Sequence, residues 1–181
     1  MNDMDSDVAE LFLEISRKKL FNQYWPRLRQ CVAPLSVEQL WWRPNPNSNS
    51  IGNLILHMNG NLRQWLVASF NDEEDTRDRP AEFAAEGGMI AAELLSQMGD
   101  TLGRAVTVLE RLTAHDLLLP YKIQGYEVCG LYAVYQAVEH FSLHYGQIIY
   151  ITKSLTGRDL GFYKELNKTG RPPKRRLFHR G

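Results

Sequence analysis

The sequence lacks several features that define large classes of proteins. It has only two cysteines, Cys31 and Cys129, in 181 residues, so a disulfide framework is not expected. No stretch reaches the roughly 20 uncharged apolar residues of a membrane span. The N-terminus also has no basic start followed by an apolar run, which a signal peptide would need. We therefore expect a cytoplasmic protein without a membrane partner.

An excess of charge of either sign is also missing. The 21 basic and 21 acidic residues give a formal net charge of zero, which argues against nucleic acid as the main partner. The two ends do differ, because the opening MNDMDSDVAE is acidic and the closing GRPPKRRLFHRG is basic. We interpret both as solvated segments, and divide the chain into one domain, residues 1–165, and a basic C-terminal tail, residues 166–181.

Motifs for several kinds of enzyme chemistry are absent as well. The sequence has no glycine-rich phosphate loop and no G-x-S-x-G nucleophile motif. Phe141 follows His140, where a zincin protease would need glutamate. No histidine has a glutamate three positions before it, as a di-iron helix bundle would require. These absences leave no support for covalent serine or cysteine catalysis.

What the sequence does contain is helical periodicity, and no segment shows sustained strand alternation. We place four long helices at about residues 8–31, 50–70, 89–112 and 131–155. Pro26 predicts a kink or break in the first, Ser36 predicts the cap of a short helical turn, and Gly157 predicts the end of the fourth. The long connection after the second helix completes the prediction: an all-α four-helix bundle with a long crossover between helices 2 and 3.

The predicted fourth helix is apolar or aromatic on nearly all sides. Apart from its two histidines, Glu139 and Lys153 are its only charged or titrating side chains besides the tyrosines. Such a helix is typical of the centre of a bundle, or of a surface that also meets a second subunit. We therefore expect it to be the most buried of the four.

Two histidines, His140 and His144, lie one turn apart in this helix. Side chains four residues apart share a helix face, with Cβ atoms roughly 5–6 Å apart, so the two rings can aim at one point. The small side chains of Ala133 and Ala137 precede them on the same side. The pair alone has two interpretations: a metal site, or rings that hydrogen-bond neighbouring helices or meet solvent.

The second helix favours the metal interpretation. His57 lies beside its apolar stripe, so three imidazoles from two helices could surround one cavity. Three protein ligands with an open fourth position are typical of catalytic rather than structural zinc. Zinc is the expected divalent ion, and nickel or iron would suit the same imidazoles. Three polar residues near His57 are candidates to orient the histidines or a bound water: Asn53, Asn61 and Gln64.

Three segments resemble members of the DinB-like superfamily (DinB/YfiT-like metalloenzymes): LSVEQLWWRPNP, NSNSIGNLILHMNGNLRQWL and AVEHFSLHYGQIIYITKSLTG. The ending DLGFYKELN is similar to that of an uncharacterised bacterial branch. The resemblance covers most of residues 8 to 165. It implies a four-helix bundle with a crossover, often a homodimer, and a divalent metal held by His57, His140 and His144.

The resemblance also implies a small-molecule substrate, since characterised relatives include thiol-dependent enzymes and others are described only as metal-dependent hydrolases. The ion could activate a water, or it could bind a low-molecular-weight thiol as thiolate. No general base is evident beside the histidines, and Tyr145 and Gln147 are weak candidates for substrate contacts. The alternative is a non-catalytic protein, in which the metal or the histidine cluster is a structural clasp or a stress-related binding module.

Overall fold

A computed structural model describes residues 3–170, with side chains for residues 6–164, 166, 168 and 170. The first long helix is continuous and consists of α1 (Asp3–Arg17), a π-helical stretch (Lys18–Tyr24) and α2 (Trp25–Val32). The short α3 (Val37–Trp41) follows. The second long helix consists of α4 (Ile51–Leu62), another π-helical stretch (Arg63–Ala68) and α5 (Ser69–Asn71).

The crossover carries α6 (Arg79–Ala84) and leads to the third long helix, α7 (Ala91–Arg111). After it come α8 (Ala114–Leu118), a hairpin of β1 (Pro120–Ile123) and β2 (Tyr126–Cys129), the fourth long helix α9 (Gly130–Thr156), and α10 (Lys164–Thr169). Within residues 3–170 the fold is therefore mostly helical, as the sequence predicts, with four long helices and a long crossover between the second and third.

Several helix ends follow the local sequence signals. Ser36 and Ser50 each cap a helix, α3 and α4, by accepting a hydrogen bond from the backbone N–H three residues later. Gly157 ends α9 with φ of 63°. Pro26 does not break the first helix. It lies in the first turn of α2, directly after the π-helical stretch, whose wider turns provide the predicted irregularity without an interruption.

The hairpin before α9 is not predicted by the sequence. Its strands pair antiparallel from Pro120 opposite Cys129 to Ile123 opposite Tyr126. The two-residue turn Gln124–Gly125 has positive φ at both positions, 55° and 83°, which is the geometry of a type I′ turn. Strands of only four residues are too short to show the alternation by which a longer strand is recognised.

The prediction that the fourth long helix is the most buried is wrong. Between residues 51 and 68 the second long helix is buried except for three half-buried residues, Leu56, Asn59 and Gly60, and the exposed Arg63, so it is the central helix. By contrast, α9 exposes a stripe of large side chains: Leu131, Tyr132, Tyr135, Leu143 and Tyr150. Apolar residues on all sides of α9 therefore do not mean burial on all sides. The prediction that this helix meets a second subunit stays a prediction.

Two further predictions concern segments away from the core. No helix between residues 3 and 170 is both long enough and apolar enough to cross a membrane. The domain boundary after residue 165 stays a prediction, and α10 runs across it. Residues 171–181, most of the predicted basic tail, lie outside the described residues.

Candidate metal centre

The structure brings His57, His140 and His144 together between α4 and α9. The ring centroids lie 4.8 Å apart for His57 and His140, 5.0 Å for His57 and His144, and 4.4 Å for His140 and His144. One ring nitrogen from each residue lies within 4.8 Å of the other two. His57 is buried, whereas His140 and His144 are half-buried. The sequence prediction of three imidazoles from two helices around one point is confirmed.

The packing of α4 against α9 explains why these residues meet. Trp65 faces Tyr132 with ring centroids 6.4 Å apart, and His57 faces His140, so the two helices run antiparallel. Ala137 is fully buried one turn before His140. Its small side chain takes up little space on the buried side of α9 beside His140.

Two of the three rings have a partner on the nitrogen that faces away from the cluster. His57 Nδ1 lies 2.9 Å from Glu82 Oε2, and His144 Nδ1 lies 2.8 Å from Gln147 Oε1. Because both oxygens accept hydrogen bonds, each Nδ1 carries the proton and each Nε2 keeps its lone pair. His140 Nε2 lies 2.9 Å from His57 Nε2. On His57 and His144, Nε2 is therefore the nitrogen available for an ion.

Arg77 also lies close to His57 Nδ1, so this nitrogen has both an acceptor, Glu82, and a donor, Arg77, within hydrogen-bond distance. Arg77 Nη2 lies 3.0 Å from this nitrogen, but also 2.9 Å from Glu82 Oε2 and 3.3 Å from the His57 carbonyl oxygen. A carboxylate offers only lone pairs, so the nitrogen that faces it must donate. Arg77 then donates to the carboxylate and the carbonyl, and every group in the set has a partner.

Two of the rings, His140 and His144, have the protonation state that metal ligation requires. Burial, helped by the neighbouring His144 and His57, lowers the pKa of His140 to about 3. Burial also lowers the pKa of His144, against the opposing effect of its hydrogen bond to Gln147. Both rings are therefore neutral at pH 7, and a neutral imidazole is the form that binds a metal. The donor set fits a divalent ion such as zinc, nickel or iron.

Glu82 is charged despite its burial. Burial alone would raise the pKa of this carboxyl, but the hydrogen bonds from His57 and Arg77, together with the Arg77 charge, lower it overall. Arg77 Nε lies 2.7 Å from Glu82 Oε1, which makes a two-point contact with the Nη2 bond. His57 thus belongs to a carboxylate–histidine arrangement of the kind that orients metal ligands in other proteins.

The polar candidates on the second long helix lie near this arrangement but, within residues 3–170, do not hydrogen-bond a histidine. Asn53 Nδ2 donates to the carbonyl oxygens of Glu82 and Ala85, at 2.9 and 2.8 Å. Gln64 Oε1 accepts from Arg77 Nη1 at 2.9 Å. Asn61 is buried, and its Oδ1 has no partner among the described residues. That any of the three orients a ligand stays a prediction.

Sequence reasoning did not find Glu82 and Arg77. They lie 25 and 20 residues after His57, in a crossover with many charges and no periodic pattern to mark any one of them. The sequence makes Gln147 only a weak candidate for a substrate contact, and in the structure it hydrogen-bonds His144. Tyr145, the other weak candidate, packs against Tyr24 in the core, with ring centroids 5.2 Å apart.

Comparisons with known proteins agree with this fold. Residues 7–164 match the model of a family described as "Protein of unknown function (DUF1572)". No curated protein sequence matches the chain.

Two solved structures are similar to the chain. The crystal structure of a conserved protein from Enterococcus faecalis is 16% identical, covering 80% of this chain and 96% of that one, with a TM-score of 0.67. The crystal structure of a DinB-like protein from Bacillus cereus is also 16% identical, covering 76% and 88%, with a TM-score of 0.57. These likenesses show the fold, and it is the fold that the resemblance to DinB-like proteins predicts. The chain belongs to the DUF1572 family and has the DinB-like fold.

Proposed function

We propose that the chain is a metal-dependent enzyme in which His57, His140 and His144 hold one divalent ion, most simply zinc. The observation that carries this proposal is the convergence of three ring nitrogens whose Nδ1 partners, Glu82 and Gln147, leave Nε2 free on two of the rings. A bound ion would supply a Lewis acid with a position left for a substrate atom. Zinc, nickel and iron all suit this set.

We further propose a low-molecular-weight thiol as the preferred substrate. A metal-bound thiol loses its proton outright, so it needs no strong base nearby. The carboxylate nearest the histidines, Glu82, is held by Arg77 on the side of His57 away from the cluster, and it is poorly placed to take a proton from a substrate. The chain would therefore be a thiol S-transferase: the thiol proton passes to solvent, the thiolate sulfur forms a bond to an electrophilic carbon, and the bond from that carbon to its leaving group breaks.

Hydrolysis of a small molecule is the second candidate. His140 and His144 are only half-buried, so a site at these rings could admit water as well as a thiol. Bound zinc lowers the pKa of water to about 7, so water could also be activated at neutral pH. A non-catalytic role for the metal is less well supported. The core already buries many large side chains, including Phe141, Leu54 and Met58, so a structural clasp is not needed to supply a core.

The proposal is tested in two steps. Elemental analysis of the purified protein should give one divalent ion per chain. Cobalt(II) is then substituted for it, and small thiols are added one at a time. Binding of thiolate should produce the intense sulfur-to-cobalt charge-transfer absorption, and an S-transferase should then alkylate the thiol with a soluble electrophile. Stoichiometric metal without thiol binding, but with turnover of ester or amide substrates, would favour the hydrolase. Metal with neither activity would favour the non-catalytic role.

A further inference from the structure

The crossover helix α6 is held against the part of α4 that carries His57. Asn53 donates to the carbonyl oxygens of Glu82 and Ala85 at the end of α6. Arg43, which follows α3, donates to the Ala85 carbonyl at 2.8 Å. The Phe83 ring lies 4.6 Å from the His57 ring, measured between centroids. These contacts fix the backbone of α6 beside the ring of His57.

With α6 docked in this way, a buried ion pair lies beside His57, on the Nδ1 side of its ring. The side chains of Arg77 and Glu82 are only 5% and 10% exposed. Their two-point contact, 2.7 Å at Arg77 Nε and 2.9 Å at Nη2, orients the carboxylate so that Oε2 faces His57 Nδ1. Gln64 holds the remaining Arg77 nitrogen, Nη1, at 2.9 Å. The pair therefore has few orientations open to it.

Gly60 makes room for this pair. A Cβ atom at this position would lie 2.0 Å from Glu82 Oε1 and 2.8 Å from Arg77 Nε, and real Cβ atoms do not approach so closely. Glycine in the interior of a helix destabilises it relative to alanine, so its presence in α4 needs an explanation. The explanation is steric: Gly60 lies three residues after His57 and leaves the notch that the carboxylate fills.

We propose that Glu82, held by Arg77 in the notch at Gly60, is the positioning residue that keeps the proton of His57 on Nδ1 and so presents Nε2 to the ion. The inference rests on the proposed metal-binding function. It assigns to the crossover a role that goes beyond joining two helices. Because α6 must be docked for Glu82 to reach His57, metal binding and docking of the crossover stabilise each other, as thermodynamic linkage requires.

A purely structural buried ion pair is the alternative, and the double variant Arg77→Met/Glu82→Met separates the two. Replacing a buried pair by apolar side chains of similar length leaves no unpaired charge and is often neutral for stability. We expect the double variant to stay folded but to bind zinc about 10- to 100-fold more weakly, the usual loss when such a partner of a ligand is removed. Competition with a chromophoric chelator measures the affinity.

A second readout does not depend on any metal. In the metal-free protein, ¹⁵N NMR of the ring nitrogens reports which nitrogen of His57 carries the proton, and His57→Asn identifies its signals. We expect protonated Nδ1 in the wild type and a mixture of tautomers in the double variant. Glu82→Gln keeps an acceptor for Nδ1 and should restore much of the tautomer preference. Gly60→Ala should mimic the double variant, because its Cβ displaces the carboxylate.

The exposed pair Arg104–Glu73 provides the matched control, with side chains 51% and 42% exposed. Arg104→Met/Glu73→Met should change neither the zinc affinity nor the tautomer. An unchanged His57 tautomer together with a zinc affinity within twofold of wild type, in the folded double variant or in Gly60→Ala, would overturn the proposal. Absence of metal binding in the wild type would instead reject the proposed function, and the tautomer measurement would still test the role of Glu82.

Discussion

The two halves of the candidate metal centre are supported very differently. On α4, His57 is buried, has a charged carboxylate on Nδ1, and is backed by Arg77. On α9, His144 has one neutral partner, Gln147, and Nδ1 of His140 is buried without a partner among the described residues. The ring of His57 on α4 is therefore fixed by charged hydrogen-bond partners, whereas the rings of His140 and His144 are oriented mainly by the backbone of α9. This difference suggests that the open side of the centre lies toward α9.

Removing a ligand should have the largest effect. His57→Ala, His140→Ala and His144→Ala should each lower the metal content of the purified protein from one ion per chain to nearly none. Each ring supplies one of only three protein ligands, and none of the three is needed for the large apolar core. Elemental analysis measures the metal, and far-ultraviolet circular dichroism checks that the helices remain. A variant that keeps its full metal content would remove that residue from the ligand set.

The next largest effect should be a difference in zinc affinity between variants that remove Glu82 and variants that remove Gln147. We expect Gln147→Leu to weaken zinc binding only a few-fold, because an exposed neutral hydrogen bond contributes about 0.5–1.5 kcal/mol at most. Removing the Arg77–Glu82 pair should weaken it by about 10- to 100-fold. Titration with a competing chelator measures both variants under the same conditions. Equal losses would mean that the two halves of the centre are supported equally well.

The same contrast explains how much of the centre the sequence could predict. His140 and His144 lie four residues apart in one helix, so their common face follows from the helical repeat alone. His57 could be added because its helix was also recognisable from periodicity. Glu82 reaches His57 only because Asn53 and Arg43 dock α6 on α4, and such contacts between distant segments leave no periodic signal.

Burial was harder to predict than helix position. The four long helices were placed to within a few residues, since periodicity and capping residues depend on near neighbours in the chain. Which helix is central depends on how all four pack. The apolar and aromatic residues of α9 suggested burial on all sides, yet Tyr135 and Tyr150 are 56% and 74% exposed. Large aromatic side chains are often found on protein surfaces, so the composition of a helix alone does not predict its burial.

The smallest expected effect concerns the pH dependence of stability in the metal-free protein. Because burial lowers the pKa of His140 to about 3, the unfolded chain takes up a proton at this residue near pH 6.5, well before the folded one does. Stability that is present above pH 6.5 should therefore decline as the pH falls from 6.5 toward 3. A fully desolvated ring would give a slope of about 1.4 kcal/mol per pH unit, and a half-buried ring should give less.

Urea unfolding of the metal-free wild type and of His140→Gln between pH 7 and 5 measures this contribution, with the exposed His115→Gln as control. Glu82 does not interfere in this range, because its pKa is lowered from an ordinary value that already lies below pH 5. The slope should be shallower in His140→Gln and unchanged in His115→Gln. Parallel slopes for the wild type and His140→Gln would mean that the folded protein accommodates a protonated ring on α9. The weakly supported half of the centre would then be more accessible to solvent than its burial indicates.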